Sequence, residues 1–306
     1  MKFSVIIPTY NPHQDILSRT LVGLKRQTMK LDLWELIIIN NNSSNNFQQN
    51  LNLDWHPSAR LVNENKKGLT YARLKGFRES NAEFILMVDD DNVLKSDYLE
   101  QAYDIFNRYP YIGAIGGKSV PSFEISPPDW LSEFYSILAL RDFGDEALTT
   151  SWDHTYPDTA PIGAGMAIRR TALNSYIKKI SLGTNTISDR TPTSLTSGGD
   201  NDIILEIMKS GWQIGYFPQL VLKHIIPAER LTPTYLARLA NDSSKSWAKL
   251  LQSHRINPWK TIKKSGILPR KIKAWFTYKA WKNHASYIRW RGACGLFEGL
   301  AEEIHS

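Results

Sequence analysis

The segment EFILMVDDDN, residues 83–92, decides the fold class of this chain. Its apolar half, Glu83–Val88, predicts a buried strand that ends abruptly at three consecutive aspartates. Two earlier segments have the same form, because a β-rich run is followed by a polar or proline-containing loop: Lys2–Ile7 and Trp34–Ile39. Strands that alternate with helices predict βαβ units and a mainly parallel sheet in an α/β fold. Apolar residues at helical spacing predict those helices at 14–28, 69–80 and 96–109.

The rest of the chain predicts a less regular continuation. Residues 121–160 are rich in proline, aspartate and aromatic residues and indicate an irregular insertion over the sheet. Residues 184–199 are polar and predict a mobile loop. Further strands are predicted at 112–116, within 163–169 and at 213–224, a helix at 200–210, and a mostly helical region from Thr232 with breaks near Asn257-Pro258 and Pro269.

Polar side chains follow each of the first three predicted strands, at 9–11, 40–44 and 89–91. In open parallel sheets, ligands bind outside the carboxyl ends of the strands. The pattern therefore predicts a ligand site along that edge of the sheet. The alternative is a set of ordinary solvated loops, because polar connections commonly follow strands.

Length and composition restrict the class of protein. A chain of 306 residues allows one large domain with an appendage, or two modest domains. Its 42% hydrophobic and 22% charged residues are typical of a globular protein and exclude wholesale disorder. The single cysteine, Cys294, excludes an intrachain disulfide and a cysteine-based zinc site, and it favours a reducing compartment. Neither a signal peptide nor a transmembrane helix is predicted.

The net charge of +7 is placed unevenly along the chain. Residues 245–306 carry 13 Lys and Arg against 3 Asp and Glu, so the first 244 residues are slightly acidic. One interpretation is that this segment lies at an anionic membrane surface. The other is that its tryptophans pack onto the rest of the chain. No nucleic-acid recognition motif accompanies the charge. The tryptophans of the segment are Trp247, Trp259, Trp275, Trp281 and Trp290.

The three aspartates Asp89, Asp90 and Asp91, here called the acidic triplet, are the first candidate for chemistry. Adjacent carboxylates repel each other, and this crowding raises their pKa values. A bound cation is the simplest relief, and an Asp-x-Asp pair offers the oxygen ligands that Mg²⁺ and Mn²⁺ prefer. Such a cation would bridge a diphosphate to the protein and neutralise a leaving group. The alternative is a solvated acidic loop or a helix N-cap cluster.

Two later segments carry further candidate groups. Asp200 opens a predicted helix in the run Gly199-Asp200-Asn201-Asp202. It is either a helix-capping acid or a general base held at a rigid helix terminus. His224 ends the last predicted strand, and Arg230 follows six residues later. A histidine can complete a carboxylate metal site, and an arginine can bind phosphate oxygens, while the alternative is a structural histidine and a surface arginine.

Seven segments together resemble the family 2 glycosyltransferases, which have the GT-A fold and often serve bacterial polysaccharide biosynthesis. The segments occur in the family's order and at its approximate spacing. The resemblance covers about residues 1–230. The matching segments are SVIIPTYNP at 4–12, IIINNNSS at 37–44, KKGLTYARLKG at 66–76, ILMVDDDN at 85–92, PIGAGMAIRR at 161–170, GGDND at 198–202 and GW at 211–212.

The resemblance implies positions for a nucleotide. Pro8, Thr9 and Tyr10 would line the nucleoside pocket at the end of the first strand. Asn40, together with Asn42, takes the place of an aspartate that often contacts the base, and asparagine keeps the hydrogen-bonding capacity without the charge. The residues that would approach the diphosphate are Gly68, Arg73, Asp89, Asp90 and Arg230.

The resemblance also implies the catalytic groups. Asp89, Asp91 and His224 would hold a divalent cation, Mn²⁺ or Mg²⁺, with Asp91 the direct ligand. Asp200 would be the general base that takes a proton from the acceptor hydroxyl. A glycine precedes it where many members carry a second acid. The reaction would invert the configuration at the anomeric carbon.

The sequence therefore leads to the expectation of an inverting glycosyltransferase, with a GT-A α/β/α sandwich at 1–230 and a basic helical extension at 231–306. Its donor would be a nucleoside-diphosphate sugar, with UDP the family's commonest nucleotide, and its acceptor a glycan or a lipid-linked hydroxyl. A cytoplasmic location, with 245–306 in peripheral contact with the plasma membrane, is expected. An alternative from a different class is a non-catalytic scaffold that binds sugar nucleotides or glycans on the same fold.

Overall fold

The computed structural model describes residues 1–182 and 198–301. Most of the loop predicted at 184–199 lies outside these residues. The described elements are β1 (Phe3–Thr9), α1 (Gln14–Lys25), β2 (Trp34–Asn40), β3 (Ala59–Asn63), α2 (Leu69–Glu79), β4 (Phe84–Met87), β5 (Asn92–Leu94), α3 (Tyr98–Arg108), β6 (Ile112–Phe123), β7 (Leu148–Thr150), β8 (Ala167–Arg169), α4 (Asn174–Ser181), α5 (Gly199–Lys209), β9 (Gln213–Ile226), α6 (Pro233–Ser253), α7 (Ile267–Thr277) and α8 (His284–Ala301).

The strands form one sheet in the order β3-β2-β1-β4-β8-β6-β9-β5, with β7 beside β9. Its first half, from β3 to β4, is parallel, and so is the long pairing of β6 with β9. All seven residues of β1 and all seven of β2 are buried, as expected for parallel strands covered on both faces. The short strands β5, β7 and β8 pair antiparallel. The predicted α/β fold with a mainly parallel sheet is confirmed.

The sheet separates two hydrophobic clusters, because alternate residues of a strand point to opposite faces. On β1, Val5 and Ile7 belong to one cluster and Ile6 to the other. A third cluster joins residues 131–140 to α6 and α8. The helical extension therefore shares a hydrophobic core with the rest of the chain.

Three details differ from the sequence-based expectations. Residues 121–123 belong to β6, because this strand continues alongside β9 as far as Phe123. The strands β3, β5 and β7 have five residues or fewer and lack a long apolar run, so periodicity does not reveal them. The predicted helix break at Pro269 is wrong, because Pro269 lies in the first turn of α7, where no backbone N–H is needed.

None of the helices within 1–182 and 198–301 is both long enough and apolar enough to cross a bilayer.

Candidate active site

A cavity of about 720 Å³ opens at the carboxyl ends of β1 and β4. The acidic triplet and Asp200 both line it, although they are far apart in the sequence. Parallel strands place their carboxyl ends at one edge of the sheet, which is where ligands bind in such folds. The other predicted residues that line this cavity are Pro8, Thr9, Tyr10, Gly68, Arg73, His224 and Arg230.

The asparagines after β2 are arranged differently from the expectation. Asn40 and Asn42 are not among the described residues that line the cavity, whereas Asn41 is. The Asn40 amide donates to Asn63 on β3, and Asn42 is exposed with a left-handed backbone. Asn41 instead accepts from the N–H of Gly68 at 2.7 Å. The only signal in the sequence for Asn41 as a cavity residue is that successive side chains at the end of a strand point to opposite faces.

Within the acidic triplet, Asp90 faces β1. Thr9 Oγ1 donates to Asp90 Oδ2, and Thr20 Oγ1 donates to the Asp90 carbonyl at 3.0 Å. Burial, reinforced by the neighbouring charge of Asp91, raises the pKa of Asp90 to about 7. Near neutral pH Asp90 is therefore partly protonated, which removes part of the negative charge of the crowded triplet.

Asp91 is the buried centre of a charged cluster. Its Oδ2 accepts from Arg230 Nη1 at 2.9 Å and lies 3.4 Å from His224 Nε2. Its Oδ1 accepts from Asn92 Nδ2 at 3.0 Å. Burial, the largest single effect, would lower the pKa of Arg230, but Asp91, Tyr235 and Asp90 together outweigh it and raise that pKa, so the guanidinium stays charged.

The pairing of β5 with β9 explains how this cluster assembles. In that antiparallel pair Asn92 lies opposite His224, and the N–H of Ile225 donates to the Asp91 carbonyl at 2.9 Å. The register brings His224 to the acidic triplet from far along the chain. Arg230 follows on a short 3₁₀ turn just beyond β9.

The residues at the acidic triplet fit a divalent cation. Asp91 and His224 lie side by side, and His224 Nδ1 is buried without a hydrogen-bond partner among the described residues. Together with Asp89, they do not form a group of three ligand atoms within 4.8 Å in the described chain. Mg²⁺, however, is usually bound through one or two carboxylates together with substrate phosphates. A cation here would thus need the phosphates of a ligand to complete its shell.

Asp200 lies in the first turn of α5 and faces the same cavity. Its Oδ2 accepts from the N–H of Gly163 at 2.9 Å, and its Oδ1 accepts from the N–H of Asn201 at 3.0 Å. The next side chain is also fixed, because Asn201 Oδ1 accepts from the Tyr156 hydroxyl at 2.5 Å. The carboxylate is thereby held by backbone donors at a rigid helix terminus.

Gly163 lies against two cavity side chains, so a side chain at this position would push on both of them. A Cβ there would lie 2.6 Å from Arg73 Nη2 and 3.1 Å from Asp200 Oδ2. We expect Gly163→Ala to displace these two cavity groups and lower turnover about 100-fold, because misplacement of catalytic groups by about 1 Å has effects of that size. Steady-state kinetics measures this loss.

The matched control is Gly292→Ala on α8, where a Cβ meets its nearest atom at an ordinary 3.5 Å. This variant should keep its activity, and its melting temperature should not fall, because alanine is the better residue inside a helix. Unchanged kinetics in Gly163→Ala would contradict this expectation and show that the cavity accommodates a methyl group beside Arg73 and Asp200.

The sequence gives no indication of an ionic network behind Asp200. Asp202, 1% exposed, accepts from His254 Nε2 and from Lys179 Nζ, both at 2.6 Å. Lys179 also reaches Glu206 at 3.1 Å, and Lys209 donates to His254 Nδ1 at 2.7 Å. The ligand atoms of Asp202, Glu206 and His254 lie within 4.8 Å of one another, so these residues could hold a metal ion. The two ammonium groups already supply the neutralising charge, and the network links α4, α5 and the end of α6.

We expect Asp202→Ala to lower the free energy of unfolding by about 3 kcal/mol, because it leaves a buried ammonium and imidazole without their carboxylate. Burial alone would raise the pKa of Asp202, but the hydrogen bond from His254 and the charge of Lys179 hold it below its ordinary 3.8. The unfolded chain therefore takes up this proton first, and the stabilisation present above about pH 4 is lost as the pH falls below it.

Urea unfolding at pH 7 and at pH 3 tests both parts of this expectation. The difference between the wild type and Asp202→Ala should shrink at the lower pH. Asp104→Ala, which removes an exposed carboxylate from α3, should change stability by less than about 0.5 kcal/mol. An equally small effect of Asp202→Ala would contradict the stabilising role of the network.

Helix α6 supplies one wall of the cavity. Tyr235, Ser243 and Trp247 line it, together with Tyr156 from the segment between β7 and β8. Trp247 and Tyr156 pack edge to face, with ring centroids 4.7 Å apart. No motif in the sequence indicates that these residues line the site. The aromatic side chains of the otherwise polar segment 151–158 were the available signal, but α6 is brought here only by tertiary packing.

The α/β fold has one cavity at the edge of its sheet, and both the acidic triplet and Asp200 line it. These features define a glycosyltransferase of the GT-A class. The chain belongs to glycosyl transferase family 2, whose family model matches residues 4–176. This match confirms the resemblance inferred from the motifs.

Two curated relatives illustrate the similarity. A glucosyl-dolichyl phosphate glucuronosyltransferase of Haloferax volcanii is 28% identical over 152 residues, which cover 47% of this chain and 48% of the relative. The poly(ribitol-phosphate) β-N-acetylglucosaminyltransferase TarP of Staphylococcus aureus is 31% identical over 161 residues, with 46% and 48% covered. The matches thus span about half the length of these relatives.

Solved structures extend the likeness to nearly the whole chain. The mannosyltransferase PcManGT of Pyrobaculum calidifontis, in complex with GDP-Man and Mn²⁺, matches with a TM-score of 0.60 at 18% identity, covering 97% of this chain and 87% of that one. S. aureus TarS 1–349 in complex with UDP matches with a TM-score of 0.54 at 14% identity, with 97% and 89% covered. At these identities the likeness establishes the fold, including the C-terminal part.

Proposed function

We propose that this chain is an inverting glycosyltransferase that moves a sugar from a nucleoside-diphosphate donor, with UDP the expected nucleotide, to a hydroxyl of a glycan or lipid-linked acceptor. One observation carries the proposal: the acidic triplet and Asp200 line a single cavity of about 720 Å³. Small-molecule sites commonly have volumes of about 300–1,000 Å³. The solved relatives of this fold bind UDP, or GDP-Man with Mn²⁺, which supports a nucleotide sugar as the donor.

The proposed donor end of the cavity combines an uncharged wall with cations. Pro8, Thr9 and Tyr10 provide the wall at the end of β1 and would face the nucleoside. Arg73 and Arg230 line the same cavity and carry guanidinium groups, which suit the oxygens of a diphosphate. Since Arg230 now pairs with Asp91, a diphosphate would compete with that carboxylate for it.

In this proposal the acidic triplet faces the leaving group. Asp91 and His224, with Asp89 beside them, are the residues that would hold Mn²⁺ or Mg²⁺. The cation would neutralise the negative charge that develops on the departing nucleoside diphosphate. Without a cation, the raised pKa of Asp90 means that a bound proton neutralises part of the negative charge of the triplet.

The proposed chemical step uses Asp200 as the general base. Its carboxylate takes the proton of an acceptor hydroxyl while that oxygen attacks the anomeric carbon from the face opposite the diphosphate. The bond from the anomeric carbon to the diphosphate oxygen breaks, and its electron pair leaves with the nucleotide. Inversion of configuration follows from this single displacement, and general-base assistance of this kind is typically worth about 10²–10⁴-fold in rate.

The acceptor is proposed to enter beside Trp247 and Tyr156, whose paired rings form the wall nearest Asn201. In this arrangement the catalytic domain proposed for 1–230 receives part of its acceptor wall from the extension proposed for 231–306. The two parts share one hydrophobic cluster, which supports the proposal that both contribute to the acceptor wall.

A thermal-shift panel of nucleoside diphosphates and nucleotide sugars, with Mn²⁺, Mg²⁺ or EDTA, tests the donor. We expect one nucleotide to raise the melting temperature by several degrees with a divalent cation and by less in EDTA, since a ligand at 100 times its Kd adds about 2.7 kcal/mol. The same protein should slowly hydrolyse the matching donor. Binding without any hydrolysis or transfer would favour a non-catalytic scaffold, and the absence of any shift would contradict the proposed donor site.

A further inference from the structure

The helical extension divides into a packed part and an exposed part. Helices α6 and α8 contribute to the third hydrophobic cluster, whereas α7 turns apolar side chains to solvent. Leu268, Ile272 and Phe276 are 66%, 52% and 63% exposed. Residues four positions apart lie on the same face of a helix, so the three form one stripe. The other side of α7 packs on α8, as shown by the centroid distance of 4.8 Å between Trp275 and Trp290.

Trp281 continues this stripe beyond the end of α7. It is 59% exposed, and its ring lies edge to face with Phe276 at a centroid distance of 5.9 Å. We call Leu268, Ile272, Phe276 and Trp281 the apolar ridge. A contiguous exposed ridge of large apolar side chains is unusual on a folded surface and marks an interaction site more often than scattered single residues do.

The surroundings of the ridge carry mainly positive charge. The sequence contains no Asp or Glu between Asp242 and Glu298. Of the cations in this segment, Lys271 pairs with Glu298 and is partly covered. The exposed cations on and around α7 are Lys260, Lys263, Lys264, Arg270, Lys273, Lys279 and Lys282.

We propose that the apolar ridge and these cations dock the protein on an anionic lipid bilayer. Apolar and aromatic side chains would enter the boundary between headgroups and acyl chains, while the flanking Lys and Arg contact the lipid phosphates. A second copy of the chain fits this surface poorly, because it would set like charges against each other. The proposal is independent of the transfer reaction, since no residue of the apolar ridge lines the cavity.

Co-sedimentation of the full chain with vesicles tests the proposal. We expect binding to vesicles that contain phosphatidylglycerol, little binding to pure phosphatidylcholine, and weakening as salt is raised. The triple variant Leu268→Ser/Ile272→Ser/Phe276→Ser should bind at least about ten-fold more weakly. The triple variant Lys263→Gln/Arg270→Gln/Lys273→Gln should bind on the order of 100-fold more weakly, which is about five-fold for each cation removed.

Control variants test whether the loss of apolar side chains or cations elsewhere on the surface has the same effect on vesicle binding. Ile125→Ser removes an apolar side chain that is 52% exposed outside the extension, and Lys25→Gln/Arg26→Gln/Lys30→Gln removes three exposed cations near the end of α1. Both controls should bind vesicles like the wild type. All variants should keep the melting temperature and the donor hydrolysis of the wild type.

Three results would overturn the proposal. The first is that the wild type does not bind anionic vesicles. The second is that the ridge and cation variants bind as well as the controls. The third is that size-exclusion chromatography shows a dimer that the ridge variant alone abolishes, since the ridge would then be a contact between copies. Loss of donor hydrolysis in every protein, including the wild type, would count against the proposed transfer reaction and leave the vesicle result standing.

Discussion

Asp200→Asn is expected to lower turnover by about 10³-fold and to leave the Kd for the donor within two-fold of the wild type. The asparagine oxygen can still accept from the Gly163 N–H, which lies 2.9 Å from Asp200 Oδ2, although the amide nitrogen cannot accept from the Asn201 N–H as Oδ1 does. One of the two backbone hydrogen bonds is thus kept, and donor binding should change little. What the amide lacks is basicity, and an acceptor hydroxyl must lose its proton as it attacks. Transfer kinetics together with calorimetric donor titration measure the two quantities separately.

Asp158→Asn is the matched control for this experiment. Asp158 is a second carboxylate on the wall of the cavity, but it is exposed. Its loss should change turnover by less than about ten-fold. Near wild-type turnover in Asp200→Asn would rule Asp200 out as the base, and a large loss in Asp158→Asn alone would transfer the role to that residue.

Asp91→Ala is expected to abolish the effect of divalent cations on nucleotide binding. Asp91 is the carboxylate that contacts both His224 and Arg230. Substituting residues that merely orient metal ligands lowers metal affinity about 10–100-fold. If Asp91 is the direct ligand proposed above, its loss should weaken nucleotide affinity in Mn²⁺ by at least about 100-fold. Calorimetry with UDP in Mn²⁺ and in EDTA should then give the same low affinity in both.

Two further variants guard against a folding defect. Asp91→Asn keeps the shape of the side chain and an acceptor for Arg230 but lacks the negative charge, and it should lose the cation effect as well. Glu229→Ala removes an exposed carboxylate next to Arg230 and should retain it. If the nucleotide bound equally well with and without Mn²⁺ in the wild type, Asp91 would have no metal-dependent role.

Much of the fold follows from local sequence. The runs that became β1, β2 and β4 are short, apolar and followed by helical periodicity, so they predict parallel strands directly. The acidic triplet, at the end of β4, is likewise placed by its own neighbours. These features depend only on neighbouring residues, which is why the sequence alone indicates the family and the fold class.

The parts that sequence alone leaves open depend on long-range pairing. His224 reaches Asp91 only because β5 and β9 pair antiparallel, and β5 has just three residues. The cavity position of Asn41 in place of Asn40 depends on the pairing of Asn40 with Asn63 across β2 and β3. Periodicity describes a segment and carries no information on such contacts.

The helical extension shows the same limit. Its composition left two interpretations open, packing onto the chain or lying on a membrane. The structure assigns packing to α6 and α8, while α7 has an exposed apolar face. The contact between Asp202 and His254 joins α5 to the end of α6. The sequence does not predict it, because the two residues are far apart along the chain.

Crystals grown with UDP and Mn²⁺, measured at the manganese absorption edge, test most directly whether the acidic triplet and Asp200 serve one bound donor. The anomalous map should place Mn²⁺ in direct contact with Asp91 and with the diphosphate of UDP, in the cavity that Asp200 also faces. Manganese at Asp202, Glu206 and His254 instead, or UDP bound outside that cavity, would contradict the account.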